Sequence, residues 1–191
     1  MRPAPPEFPA AFLRRARRLR LVLTDCDGVL TDGSVYYSEA GEELRRFSVR
    51  DGMGVERLRE VGVATAILTR EPSPAIARRA EKLRLPYLYL GIRDKAAHLP
   101  RILSDTGFAV TELAYLGDDV NDLGMLAAVA PHGLTGAPAD AAAELSPVCH
   151  YRCAARGGAG AFREFAEWLL GLRQPQSFTG FPGENHEESG G

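Results

Sequence analysis

Apolar positions in this chain gather into short unbroken runs, and helically spaced stretches separate them. Residues 21 to 24, Leu-Val-Leu-Thr, form one run that stops on Asp25 and Asp27; residues 63 to 68, 87 to 90 and 113 to 116 form three more. Runs this short and continuous predict strands buried on both faces. Helical spacing covers residues 10 to 19, 53 to 61, 76 to 83, 94 to 106, 121 to 129, 139 to 145 and 161 to 172. Asp51 is the expected N-cap of the helix over 53 to 61, with Gly62 just past its end, and Pro100 marks a break or a first turn in the helix over 94 to 106. Further short strands are expected near residues 133 to 134 and over 148 to 152. Residues 34 to 49 break the rhythm: aromatic or β-branched stretches flank Ser38-Glu39-Ala40-Gly41, the pattern of a β-hairpin with a Gly-containing loop.

Strands alternating with helices at this spacing predict parallel βαβ units, hence an α/β fold with a doubly wound parallel sheet and a hairpin inserted after its first strand. The domain is expected to span residues 20 to 172, after an N-terminal extension and helix over 1 to 19. Residues 173 to 191, rich in Gly, Pro, Glu and Ser, carry too little apolar surface to pack and are expected to be disordered.

Composition narrows the partners. With 45% hydrophobic and 25% charged residues and a formal net charge of -2, the chain is neither disordered nor a polycation, so no nucleic-acid partner is expected. The basic run Arg14-Arg15-Ala16-Arg17-Arg18-Leu19-Arg20 reads as a solvated helix face. No stretch approaches the roughly 20 apolar residues that span a bilayer, and the start lacks a signal peptide's apolar core. A cytoplasmic location and no membrane partner are expected. Cys26, Cys149 and Cys153 are odd in number and read as thiols. Cys149, His150 and Cys153 have unusual spacing for zinc and no fourth ligand nearby. His98 and His132 read as structural.

The chemistry gathers at the strand ends. Asp25 and Asp27 would repel by about 4 kcal/mol at ~4 Å and an effective dielectric of ~20, so they imply a cation, a shared proton, or both. Taken alone, this segment also reads as an Asp-Gly turn after a strand. The next strand ends on Thr69, Lys95 opens a helix after the third, and residues 113 to 116 lead into Gly117-Asp118-Asp119-Val120-Asn121-Asp122. Carboxylates, a hydroxyl and an ammonium together suit a divalent cation and a phosphate. Asp25, the Asp27 backbone carbonyl and Asp118 would give Mg²⁺ half of its shell, with water and phosphate oxygens completing it. Thr69, Lys95 and backbone N–H groups beside Asp27 and Gly28 could hold the other phosphate oxygens. Phosphate-monoester hydrolysis needs acceleration of up to ~10²¹-fold, and an aspartyl-phosphate intermediate splits it into two easier steps. Asp25 fits the nucleophile, and Asp27 fits the acid that protonates the leaving alkoxide and then the base that activates water.

Asp25-Cys26-Asp27-Gly28-Val29-Leu30, Thr69, Lys95 and Gly117-Asp118-Asp119-Val120-Asn121-Asp122 resemble, in order, the four motifs of the haloacid dehalogenase superfamily of phosphatases. Across residues 20 to 171 the chain is similar to the branch acting on phosphorylated 2-keto-3-deoxy sugar acids, the octulosonate 8-phosphate and nonulosonate 9-phosphate phosphatases. Thr31-Asp32-Gly33, Phe47-Ser48-Val49-Arg50-Asp51-Gly52, Arg79-Ala80-Glu81-Lys82-Leu83 and Arg156-Gly157-Gly158-Ala159-Gly160 support that likeness. The resemblance implies a Rossmann-like sheet without a cap domain, a Mg²⁺ cofactor, a small sugar acid phosphate as substrate, and a homotetramer assembled through the hairpin, each site completed by a neighbouring subunit. Val35, Tyr36, Tyr37 and Phe47 would give that hairpin apolar surface with little core of its own to cover, and a lone two-stranded hairpin is marginal.

The segment after Thr69 bears on the substrate. Glu71, Arg79 and Lys82 match the nonulosonate pattern and are candidate contacts to the sugar acid, so the resemblance favours a nonulosonate 9-phosphate as substrate, with octulosonate 8-phosphate next. Arg79 and Lys82 are equally compatible with a solvated helix face. Arg70 replaces the usual Gly after Thr69, and Ala159 stands where the family commonly has Arg or Glu. The competing class is a non-catalytic oligomerisation module related to the C-terminal domain of CMP-sialate synthetases; retention of Asp25, Asp27, Thr69, Lys95 and Asp118 favours the enzyme.

Overall fold

The computed structural model describes residues 8 to 174. Strand β1 (Leu21–Thr24) is its axis, paired in parallel with β4 (Ala64–Leu68) on one side and β6 (Leu113–Leu116) on the other, Leu21 standing opposite both Ala64 and Leu113. β5 (Tyr87–Tyr89) lies beyond β4, while β7 (Leu134–Ala137) and β8 (Tyr151–Arg152) lie beyond β6. The sheet order is therefore β5-β4-β1-β6-β7-β8, parallel throughout. The chain runs outward from β1 to β5 and then crosses back to β6, so strand order reverses between β1 and β6. A reversal of this kind opens a crevice at the carboxyl ends of the two strands, and Asp25 and Asp118 follow those ends directly.

Both faces of the sheet are covered, which is why β1 reads as one apolar run. Val22 packs into a layer shared with helices α1 (Ala10–Arg18), α2 (Val49–Glu60), α3 (Pro74–Lys82) and α6 (Ala161–Arg173). Leu21 and Leu23 point the other way, toward α4 (Leu99–Thr106) and α5 (Leu123–Val129). Phe162 and Phe165 of α6 are fully buried, each contributing about 1.5 to 3 kcal/mol by leaving water.

Several elements differ from their sequence expectation. α2 begins at Val49 with Ser48 as its N-cap, the Ser48 side chain accepting from the Arg50 amide. Asp51 does not cap its own helix; it is buried, and its Oδ1 accepts from the Arg163 amide at 3.0 Å in the first turn of α6. Gly160, the N-cap of α6, has no side chain to serve those amides, so a carboxylate from α2 does. Residues 143 to 148 form a 3₁₀ segment instead of an α-helix, with Pro147 lacking the amide that a helical ladder needs. The 121 to 129 helix divides into a 3₁₀ turn at Val120–Asp122 and α5. Pro100 sits in the first turn of α4, where its missing N–H costs nothing.

The basic run is only partly a solvated face. Arg14, Arg17, Arg18 and Arg20 are exposed, but Arg15 donates to the carbonyls of Ala130, Pro131 and Gly133 just past α5 and contacts His150. His150 also meets Thr135, and Cys153 Sγ lies 3.4 Å from the Ala161 carbonyl, so these side chains serve packing. Among the described residues the three cysteines are free, and no helix is long and apolar enough to cross a membrane.

The hairpin forms a separate two-stranded sheet of β2 (Val35–Ser38) and β3 (Gly41–Arg45), with a register shift between Tyr36 and Tyr37. Tyr36, Tyr37 and Leu44 are 59%, 70% and 62% exposed, so these side chains find little cover within one chain. The expected disordered tail lies, from residue 175 onward, outside the described residues.

Candidate active site

The site starts with the turn that follows β1. The Asp25 amide donates to the Leu116 carbonyl, continuing the β1–β6 ladder by one residue, and the amides of Val29, Leu30 and Thr31 then converge on the Cys26 carbonyl. These bonds leave out the amides of Asp27 and Gly28. Gly28 has φ +76, and a Cβ there would lie 1.8 Å from Asp118 Oδ2. Glycine is therefore required twice, by conformation and by the approach of Asp118. From the far side, a Cβ on Gly157 would lie 1.9 Å from the Gly28 carbonyl, so the loop before α6 closes tightly on the same turn.

Asp25, Asp118 and Asp122 each offer an oxygen within 4.8 Å of the other two. At that separation each charged pair repels by about 3.5 kcal/mol at an effective dielectric of ~20. Lys95 answers part of this charge: its ammonium, 1% exposed, lies 2.6 Å from Asp25 Oδ2 and 2.5 Å from Asp122 Oδ1. Burial opposes the Lys95 charge, but the two carboxylates outweigh it and raise its pKa. Burial and then the Asp122 charge push Asp25 up to about 7, against the pull of Lys95 and the Cys26 amide. Burial, then Asp25 and Asp122, push Asp118 up to about 8. Asp122 is further held by the Tyr115 hydroxyl at 2.5 Å and the Asp118 amide at 2.9 Å.

With all three carboxylates ionised, one ammonium would leave negative charge uncompensated, which a proton or a divalent cation such as Mg²⁺ can answer, and hard oxygen donors at this spacing fit the latter. The Gly28 gap that admits the Asp118 carboxylate is part of that fit. Asp25, Asp118 and Asp122 are the side chains that would hold it.

Asp27 lies outside this cluster. Its Oδ1 accepts from Thr31 Oγ1 at 3.0 Å and its Oδ2 from Arg45 Nη1. Thr69 is buried at the end of β4, its carbonyl accepting from the Ile92 amide, its Oγ1 accepting from the Glu71 amide at 3.1 Å, and its hydroxyl proton left to donate. Glu71 is exposed at the rim, 3.3 Å from Arg45 Nη2. Arg79 commits its guanidinium to the Ser48 carbonyl at 2.8 Å and stacks over Phe47, and Lys82 is exposed at the end of α3. These contacts draw Arg79 to the start of α2. Asp122, to which no role is assigned from the sequence above, is signalled there only by its spacing of four from Asp118. Arg45 carried no local signal, because only the folding back of the hairpin brings it to Asp27.

A buried ammonium between carboxylates at the switch point of an α/β sheet with no cap among the described residues is the setting of a phosphoric monoester hydrolase of the haloacid dehalogenase type. No protein-family model matches the chain. It is 37% identical over 158 residues to the 3-deoxy-D-manno-octulosonate 8-phosphate phosphatase KdsC of Yersinia pestis, across 83% of this chain and 83% of that one. Among solved structures, the cobalt-bound deoxy-D-mannose-octulosonate 8-phosphate phosphatase of Haemophilus influenzae matches with TM-score 0.78 and 33% identity, over 83% of this chain and 91% of that one. The Moraxella catarrhalis 3-deoxy-D-manno-octulosonate 8-phosphate phosphatase, in complex with magnesium, phosphate and KDO, matches with TM-score 0.78 and 31% identity, over 85% and 92%. The chain belongs to the family of KdsC-type phosphatases.

Proposed function

We propose that this protein is a magnesium-dependent phosphatase that releases phosphate from 3-deoxy-octulosonate 8-phosphate through an aspartyl-phosphate on Asp25. The observation that carries it is Lys95 bridging Asp25 and Asp122 beside Asp118 at the strand ends. When bound by Asp25, Asp118, Asp122 and the Asp27 carbonyl, magnesium supplies positive charge that offsets the phosphate. An Asp25 oxygen attacks phosphorus and the ester P–O bond breaks. Asp27 gives its proton to the departing sugar oxygen. Water then attacks phosphorus, Asp27 takes the water proton, and the Asp25–phosphate bond breaks to release inorganic phosphate. Thr69, Lys95 and the Gly28 backbone hold the phosphate oxygens meanwhile.

The names of the relatives favour the octulosonate. A second reading, nonulosonate 9-phosphate, is favoured by Glu71 at the rim, with Arg79 and Lys82 as further candidate contacts. The exposed Tyr36, Tyr37 and Leu44 support assembly as a homotetramer through the hairpin. Free thiols suit a reducing cytoplasm.

Phosphate release from both sugar acid phosphates, with and without Mg²⁺ and beside Asp25→Asn, tests the chemistry. Wild type is expected to need Mg²⁺ and the variant to be inactive. Equal turnover by the variant would sink the mechanism, and an inactive wild type would favour a non-catalytic oligomerisation module. The ratio of kcat/KM for the two substrates decides between them.

A further inference from the structure

The loop between β8 and α6 presses on the catalytic turn. Gly157 and Gly158 are buried there; the Gly158 amide donates to the Val29 carbonyl at 2.9 Å, and a Cβ on Gly158 would run into the Asp32 amide. With Gly157 against the Gly28 carbonyl, two successive residues of this loop lie directly on the segment that carries Asp27 and Gly28. Backbone packed this closely cannot shift without carrying its neighbour along.

Three carboxylates brace the loop. Glu164 of α6 accepts from the amides of Ala154 and Ala155 at 2.9 and 2.8 Å, and Asp51 accepts from the Arg163 amide beyond it. Of the three, Asp140 is the one that bonds a residue touching the turn: its Oδ1 accepts from the Gly157 amide at 3.0 Å and its Oδ2 from Arg156 Nε at 3.1 Å. Burial opposes the Asp140 charge, but the Gly157 amide and Arg156 outweigh it and hold the carboxyl below its ordinary value.

Asp140 belongs to the segment after β7, which is itself tied to the end of β6. The Ala142 amide donates to the Asp118 carbonyl at 2.8 Å, and the Ala139 amide to the Ala155 carbonyl at 3.0 Å. The contacts close a ring: Asp118 to Ala142, Asp140 to Gly157, Gly158 to Val29, and Gly28 back to the Asp118 carboxylate, which fills the space left by the missing Cβ. We propose that Asp140 is a positioning residue: through Gly157 it holds the catalytic turn against Asp118, so that Asp27 meets the departing oxygen in reacting geometry. The inference rests on the phosphatase reading above and adds a residue, outside the four motif segments, that sets their spacing. Without its acceptor the buried Gly157 amide must move to find another, and a misplacement of about 1 Å at the reacting groups can cost about 100-fold in rate. The ion pair itself matters little, because the Asp140 side chain is 33% exposed and that of Arg156 75%. For the same reason Asp140→Ala empties no core and should keep the fold.

Kinetics and amide hydrogen exchange on the full chain test it. At saturating Mg²⁺, Asp140→Ala should lower kcat on the octulosonate phosphate by at least about tenfold, with KM within about threefold of wild type. Asp140→Asn keeps an oxygen for the Gly157 amide and should return kcat to within about threefold of wild type. Arg156→Ala removes only the charge partner and should stay as close. In metal-free protein, exchange over residues 26 to 33 should quicken at least about tenfold in Asp140→Ala and not in Arg156→Ala, while β4 keeps its wild-type rate. Exchange that rises equally in β4 would mean a merely structural role and overturn the proposal. So would unchanged kcat or exchange in Asp140→Ala, an equal loss in Arg156→Ala, or an Asp140→Asn variant as slow as Asp140→Ala. A wild type that releases no phosphate would overturn the proposed function, while exchange in the turn still decides the role of Asp140.

Discussion

The Lys95 ammonium lies 2.6 Å from Asp25 Oδ2 at a site where neither side chain is more than 6% exposed. Breaking one partner of a buried pair is more damaging than the net value of the pair, because the surviving charge stays in low dielectric. Lys95→Met should therefore lower stability by about 3 to 5 kcal/mol in metal-free protein, read by urea denaturation. Added Mg²⁺ should recover part of that loss. A change below about 1 kcal/mol would show that uptake of protons by the cluster, rather than Lys95, relieves its charge.

The raised carboxyls set a pH signature. Asp25 and Asp118 sit at about 7 and about 8 in the folded protein, against 3.8 ordinarily. Between those values the folded state holds more protons than the unfolded one, so stability contributed by the protonated acids is present in acid and is lost as pH rises through about 7 to 8. Metal competes with these protons. The rise in Tm produced by Mg²⁺ should thus be larger at about pH 8 than at about pH 6, in thermal melts of metal-free and metal-loaded protein. An increment independent of pH would contradict the cluster as the metal site.

Gly28 and Gly33 share φ +76 but not surroundings. A Cβ at Gly28 would meet Asp118 Oδ2 at 1.8 Å, whereas at Gly33 the nearest atom is 3.7 Å away. Gly33→Ala should cost about 1 kcal/mol through backbone conformation alone, with activity at saturating Mg²⁺ kept. Gly28→Ala should in addition displace Asp118 and raise the Mg²⁺ concentration for half-maximal activity by about tenfold or more. Matching metal titrations for the two variants would refute the distinction.

Tyr37, 70% exposed on a hairpin with little cover of its own, should lie in a subunit contact. A charge there meets a desolvated partner surface in the assembly and only water in a monomer. Tyr37→Glu should shift light-scattering mass from tetramer toward smaller species at unchanged helical content. A wild type that is monomeric at all concentrations would remove the expectation.

Local pattern and tertiary placement divided the work along clear lines. The strand ends that carry Asp25, Thr69 and Asp118 were legible because a buried strand must be apolar along its length, so the first carboxylate or hydroxyl after it marks where burial ends. Arg15 departs from the solvated face that its spacing predicts, because helical spacing tells which face a side chain leaves from, and not that the carbonyls beyond α5 await it. Asp51 departs from its expected place as the cap of its own helix for the same reason: a cap reads alike in sequence whether it serves its own amides or those of α6, 112 residues away.

By itself, then, the order of apolar runs and acids determined the sheet, the ends of its strands and the chemistry they suit. The tertiary structure decided which side chains meet. Asp122 joins Asp25 and Asp118 because β1 and β6 are neighbours in register, and Asp27 turns to Arg45 because the hairpin folds back across the turn. Apolar burial acts on every residue of a run and leaves its trace in local sequence, whereas a charge finds its partner by distance in space, which no local spacing encodes.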